Sequence, residues 1–202
     1  MIVTISNEYG CGALAVAHLV AGQLQYEYVD EQLPVVVAKR LQTSPQAVEA
    51  AEQGGESVGD RMLRALESGT PEIASGPPPG PTFDEECLRE VQETVREFAA
   101  HGNVVLVGRG GGAILGRRPD VLRVFLFAPR DWRIGHIAEA FDVDDKTAAA
   151  EIDRIDRARA KYIETYYSMK WADARNYDLA LDVASFGTEG AAAAIVGAVR
   201  AR

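Results

Sequence analysis

Apolar residues recur along this chain with two periods, and the first switch between them falls at Gly12. Ile2-Val3-Thr4-Ile5 is a β-branched run that suits a buried strand. Asn7 to Gly12 breaks the run. From Ala13 onward Leu14, Ala17, Val20, Ala21 and Leu24 recur at helical spacing. Tyr26 to Val29 predicts a short second strand ending at Asp30, which can cap a helix whose early turn holds Pro34 and whose stripe is Leu33, Val37 and Leu41. Ser44-Pro45 is a helix start, with the helix running to about Glu52 and Gly54-Gly55 ending it. Val58, Met62, Leu63 and Leu66 mark another short helix. Five prolines between Ser68 and Pro81 predict a loop or flap.

The second half repeats the alternation. Thr82 and Glu85 form a capping-box pair ahead of a helix with Leu88, Val91, Val95 and Phe98 on one face, closed by Gly102. Val104 to Val107 is a continuous apolar run, expected to be a central parallel strand. Gly108-Arg109-Gly110-Gly111-Gly112 follows, then a short helical turn at Ala113 to Leu115. Val121 to Phe127 predicts a further strand and Trp132 to Ala140 a helix. Asp144 caps a long helix to about Tyr167, Tyr177 to Val183 is the last strand, and Ala191 to Val199 is the closing helix. Strands alternating with helices predict an α/β fold with a mainly parallel sheet.

Composition narrows the class. The 202 residues fit one globular domain, are 47% apolar and 25% charged, and carry a net charge of −9. That balance disfavours nucleic acid or an anionic membrane as partner. With no leader pattern and no apolar run of spanning length, a cytosolic protein is expected. Cys11 and Cys87 make no disulfide framework. Cys11 stands where a helix start can lower a thiol pKa, although a small residue fitted into the loop is the plainer reading. His18, His101 and His136 have no metal-ligand spacing and read as surface or helix-end residues.

The candidate chemistry gathers after the strands. A glycine loop that opens a helix aims backbone N–H groups and the positive helix end at one point, which favours phosphate. Gly10-x-Gly12-x-x-Ala15 with Asp30 twenty residues later fits a dinucleotide fingerprint. The three residues Asn7, Glu8 and Tyr9 before Gly10 instead fit a longer, phosphate-wrapping loop. A full P-loop would have lysine at Ala13 and a hydroxyl at Leu14. A plain βα turn without ligand is the third reading. Arg109, among glycines at a strand end, suits a pair of phosphate oxygens. Gly108-x-Gly110-x-x-Ala113 also matches the dinucleotide pattern, but Arg117-Arg118-Pro119 leaves little room for the long helix it needs. Arg154 and Arg157 share a helix face and Arg159 points elsewhere, while Asp153 and Arg157 form an i, i+4 pair.

Together these residues resemble the cytidylate kinase-like family of P-loop proteins over nearly the whole chain. The resemblance rests on Ser6-Asn7-Glu8-Tyr9-Gly10-Cys11-Gly12, Gly108-Arg109-Gly110, Ala128-Pro129-Arg130-Asp131-Trp132-Arg133-Ile134, Asp156-Arg157-Ala158-Arg159-Ala160, Tyr162, Tyr166-Tyr167 and Trp171. It implies a P-loop NTPase-type three-layer sandwich of nucleoside monophosphate kinase type, with an acceptor lobe at about 31–100 and a lid at about 130–167. It implies ATP and Mg²⁺ as cofactors and a nucleotide or other small molecule as acceptor, CMP first. By resemblance the loop from Asn7 to Leu14 cradles the donor phosphates, and Arg109 holds the acceptor phosphate. Arg133 packs on the donor adenine. Arg154, Arg157 and Arg159 gather round the transferred group, and Asp30 lies near the acceptor. The chain departs from true cytidylate kinases at Ala13, Leu14 and Ala15, and at Val107 and Gly110, where they have aspartates. A catalytically weak nucleotide sensor and a dinucleotide-binding protein are the rival readings. The residues name no metal ligand and no oligomeric state.

Overall fold

The computed structural model describes residues 1–30, 32–54 and 83–202. Five strands form one sheet in the order β2-β3-β1-β4-β5, every pair parallel. They are β1 (Ile2–Asn7), β2 (Glu27–Val29), β3 (Val104–Val107), β4 (Val121–Phe127) and β5 (Leu179–Asp182). The helices are α1 (Ala13–Leu24), α2 (Gln32–Arg40), α3 (Pro45–Gly54), α4 (Phe83–His101), α5 (Gly111–Leu115), α6 (Arg130–Phe141), α7 (Asp145–Tyr167) and α8 (Val183–Arg200). The short helix expected at Val58 to Leu66, the Ser68 to Pro81 loop and the Thr82 cap lie outside the described residues.

Side chains of successive strand residues leave opposite faces of the sheet, so β1 serves two cores. Val3 and Ile5 pack with Val105, Val124 and Leu126 under α1 and α8. Ile2 packs with Val104, Leu106 and Val121 under α2, α3 and α4. This gives three layers, with a sheet buried on both sides. Full burial of each such Val, Ile or Leu side chain contributes roughly 1.5–3 kcal/mol; β3 is apolar throughout, and Thr4 is the one polar residue among the buried positions of β1.

Two helix caps follow the sequence signals. Ser44 Oγ accepts from the N–H of Ala47 at 3.1 Å, and Asp144 Oδ1 accepts from that of Thr147 at 2.7 Å. Three local expectations change. Cys87, buried at 1% exposure, takes the inward place on α4 that Leu88 was expected to fill. Asp153 pairs with Arg130 of α6 at 2.9 Å rather than with Arg157. The last strand ends at Asp182, whose carboxylate accepts from the Ala184 N–H and Ser185 hydroxyl, so α8 begins at Val183 and bends at Gly187.

Arg123 breaks the apolar run of β4 and is 4% exposed. Asp178 balances it, with its two oxygens 2.9 and 3.2 Å from the guanidinium and one of them 2.9 Å from the Arg123 amide. Burial alone would raise the Asp178 pKa, but the hydrogen bonds and charge of Arg123 outweigh it and hold the carboxyl below its ordinary value. Replacing Asp178 with alanine strands a buried cation, and the expected loss is about 3 kcal/mol in urea unfolding at pH 7. Because the folded pKa is depressed, the contribution is whole above about pH 4 and fades as pH falls below it. The gap between wild type and Asp178→Ala should therefore narrow toward pH 3. A loss under about 1 kcal/mol at pH 7 would show that the pair does not hold β4 to the chain leading into β5.

Candidate functional site

The loop from β1 to α1 stands at the carboxyl end of the sheet, where open parallel sheets bind ligands. Gly12 is the N-cap of α1 and has no side chain to satisfy the first turn. The leading N–H groups of the helix have no intrahelical acceptor and face out of the end of α1. Gly10 has φ +81°, and a Cβ there would meet Ile137 Cγ1 at 2.8 Å. Only glycine fits so close to α6.

A buried ionic network holds the loop from below. Arg133, 6% exposed, donates to the Tyr9 carbonyl at 3.0 Å and the Ala128 carbonyl at 3.1 Å. It pairs with Asp156 at 2.6 Å and Glu8 at 3.3 Å. The other Asp156 oxygen accepts from the Tyr9 N–H at 2.8 Å, and Glu8 accepts from the Ala128 N–H at 3.3 Å. Burial raises the Glu8 pKa, against the pull of Arg133. Arg133 was expected to cover a donor base. Its guanidinium is instead turned under the loop and engaged by protein oxygens on several sides, an arrangement its five-donor fork suits. Cys11 also differs from the reactive reading. It is fully buried, its thiol 3.6 Å from the Leu126 carbonyl, and burial pushes its pKa up to about 12.

Above the loop lies a cavity of about 580 Å³. Asn7, Tyr9, Gly10, Gly12, Ala13 and Leu14 line it, joined by Asp30, Arg109, Arg154 and Arg159. Glu8, Cys11, Arg133 and Arg157 do not. Arg157 is exposed and borders a shallow recess of about 250 Å³ with Lys161. The cavity face of α7 runs Arg154, Ile155, Ala158, Arg159 and Tyr162, so Arg154 shares it with Arg159 rather than with Arg157.

Each cation is positioned by its neighbours. Arg159 donates to the Asn7 carbonyl at 2.7 Å and lies 5.9 Å from the Tyr9 ring centre. Burial lowers its pKa, although an arginine keeps its proton at neutral pH. Arg109 lies 3.9 Å from Glu49 on α3. It has φ +53° between Gly108 at +71° and Gly110 at +69°, three left-handed residues in succession. A left-handed non-glycine residue costs on the order of 1 kcal/mol. A Cβ on Gly110 would meet the Tyr167 ring at 2.9 Å. Asp30 accepts from the Tyr28 hydroxyl at 3.3 Å. Arg154 is exposed and paired with Glu151 at 2.7 Å.

The sequence reading missed the apolar wall. Ile137, Ala140, Phe141, Ile163 and Trp171 line the cavity, as does His136, which is exposed as its spacing predicts but also faces the cavity. It missed Asp156 as a strut. The signal was present in the order Arg133, Asp156 and Glu8, but a charge pattern does not say which charges face inward.

Five parallel strands in this order, with a glycine loop between the central strand and α1, define an α/β sandwich of the P-loop kinase type. The order also differs from the 3-2-1-4-5 arrangement of dinucleotide-binding sheets, which weighs against that reading. An uncharacterized protein from Eubacterium ventriosum shares the fold with a TM-score of 0.72 at 20% identity, covering 100% of this chain and 99% of its own. A shikimate kinase from Bacteroides thetaiotaomicron does so with 0.52 at 13% identity, covering 99% and 98%. The chain belongs to the cytidylate kinase-like family, whose sequence profile matches residues 2–185. The cytidylate kinase of Halobacterium salinarum is 27% identical over 205 residues, spanning 100% of this chain and 90% of that one. That of Natronomonas pharaonis is 27% identical over 206 residues with the same coverage. Among the described residues, no helix is long and apolar enough to cross a membrane, and no group of three or more His, Cys, Asp or Glu could hold a metal ion.

The network predicts that Asp156→Ala frees the loop. A hydrogen bond to a charged group contributes roughly 1.5–3 kcal/mol. Amide exchange at Tyr9 should therefore speed up about tenfold to a hundredfold, provided local opening governs exchange there. Unchanged protection at Tyr9 would mean that the loop is held by other contacts.

Proposed function

We propose that this protein is an ATP-dependent kinase of a small acceptor, with CMP or a similar nucleotide as the first candidate. The observation that carries the reading is the shared cavity: the phosphate-facing end of α1, Asp30, Arg109, Arg154 and Arg159 all line it. In the proposed reaction an acceptor oxygen attacks the γ-phosphorus of ATP in line. A bond forms to that oxygen as the bond to the ADP oxygen breaks, and ADP leaves. The amides from Gly10 to Leu14 hold the donor phosphates, and Arg109 holds the acceptor phosphate. Arg154 and Arg159 neutralise charge on the group in transit. Mg²⁺ needs few protein ligands when phosphates and water supply the rest, so the lack of a three-residue cluster among the described residues is compatible with it. Among the described residues that line the cavity, Asp30 is the carboxylate that would hold the ion. When bound, the ion would neutralise charge on the donor phosphates.

A second reading has its own support. Ala13 is 3% exposed and Leu14 is 52% exposed where a P-loop carries its lysine and hydroxyl. A nucleotide sensor with little turnover would tolerate both.

ADP release from ATP and Mg²⁺ with a panel of nucleoside monophosphates and other small acceptors separates the two. A kinase releases ADP only with its acceptor present, and Arg159→Ala should then lower kcat by about 10²-fold. Arg157→Ala, on the outer face, should change kcat by less than about threefold. ATP binding without release of ADP across the panel favours the sensor. Stabilisation by NAD but not by ATP in thermal unfolding would overturn both.

A further inference from the structure

The base of the donor has lost the partner that resemblance assigned to it, because Arg133 is turned under the loop. One turn further along α6 stands another flat side chain. His136 lines the cavity and is exposed, and its ring stacks on Trp132 with 5.0 Å between centroids and 11° between planes. Trp132 is 38% exposed and packs into none of the apolar clusters of the core. The fold gains nothing evident from leaving an indole and an imidazole stacked in the open.

Position says which ligand group they face. Ile137, next in the chain, is the residue that a Cβ on Gly10 would strike. His136 therefore stands beside the donor-phosphate loop. Arg109 and Gly110 lie near the C-terminal end of α7, where a Cβ on Gly110 would meet the Tyr167 ring. Phe141, 62% exposed on the cavity, continues the apolar side of α6.

Resting on the kinase reading, we infer that the Trp132–His136 stack is the platform for the nucleobase of the triphosphate donor, and that His136 is the residue the base lies against. A flat ring backed by a second ring offers a π-face at little cost in side-chain freedom. Stacking of a base on such a face is worth enough to change affinity by roughly tenfold or more. It reads a ring rather than a hydrogen-bond pattern, so purine triphosphates other than ATP should also bind.

The test compares a ligand with a base to one without. Calorimetric titration with ATP and with inorganic tripolyphosphate is carried out on wild type, His136→Ala and His136→Phe. His136→Ala should weaken ATP about tenfold and leave tripolyphosphate within twofold. His136→Phe, which restores a flat ring, should recover most of the ATP affinity. Equal weakening of both ligands, or of neither, would overturn the platform while leaving the kinase reading intact. Wild-type protein that binds neither ligand would overturn the kinase reading and the platform with it.

Discussion

The site depends on one buried guanidinium. Arg133 ties the carbonyl of Tyr9 to the end of β4 at Ala128 and to two carboxylates, one from the loop itself and one from α7. Removing an ion from water is costly, and here geometry repays it: the planar fork meets an oxygen on several sides. The consequence is positional. The loop cannot shift without breaking charge-assisted bonds, and α6, α7 and β4 are registered to it. Asp156 reaches both the Tyr9 N–H and Arg133, so the helix that carries Arg154 and Arg159 is set by the same contact.

Rigid support below leaves the upper surface to electrostatics. The chain carries a net charge of −9, yet the cavity walls hold Arg109, Arg154 and Arg159 beside the positive end of α1. A local basic cleft in an acidic protein attracts small anions while the rest of the surface repels polyanions. Arg159 donates to the Asn7 carbonyl, so a cation is fixed directly on the loop that lacks a lysine at Ala13. That placement is the physical ground for keeping phosphoryl transfer as the leading function despite the altered loop.

Much of the architecture was legible because it follows from periodicity and caps. The β-branched run at Ile2, the uninterrupted apolar strand at Val104 and the Asp144 cap all state their roles locally. The three strand-end features, Gly10–Gly12, Asp30 and Arg109, could be assigned to one cleft because a parallel sheet has one functional end. What failed was the direction of charged side chains. Arg133 and Arg157 look alike in sequence, but one is buried under the loop and the other faces outward. Helical spacing put Arg154 and Arg157 on one face, and both do border the shallow recess, but the packing of α7 on α6 and the loop brings Arg154 to the cavity with Arg159. The apolar wall at Ile137 and Trp171 was illegible for the same reason, since it joins residues from separate elements.

The central claim is that the loop held by Arg133 is a phosphate cradle. The most direct measurement is an amide NMR titration of the protein with ADP, following the N–H resonances from Gly10 to Ala15. The account predicts that these amides shift most, downfield as they donate to phosphate oxygens, and that inorganic tripolyphosphate moves the same set. Nucleotide binding that leaves them in place while shifting resonances elsewhere would contradict it.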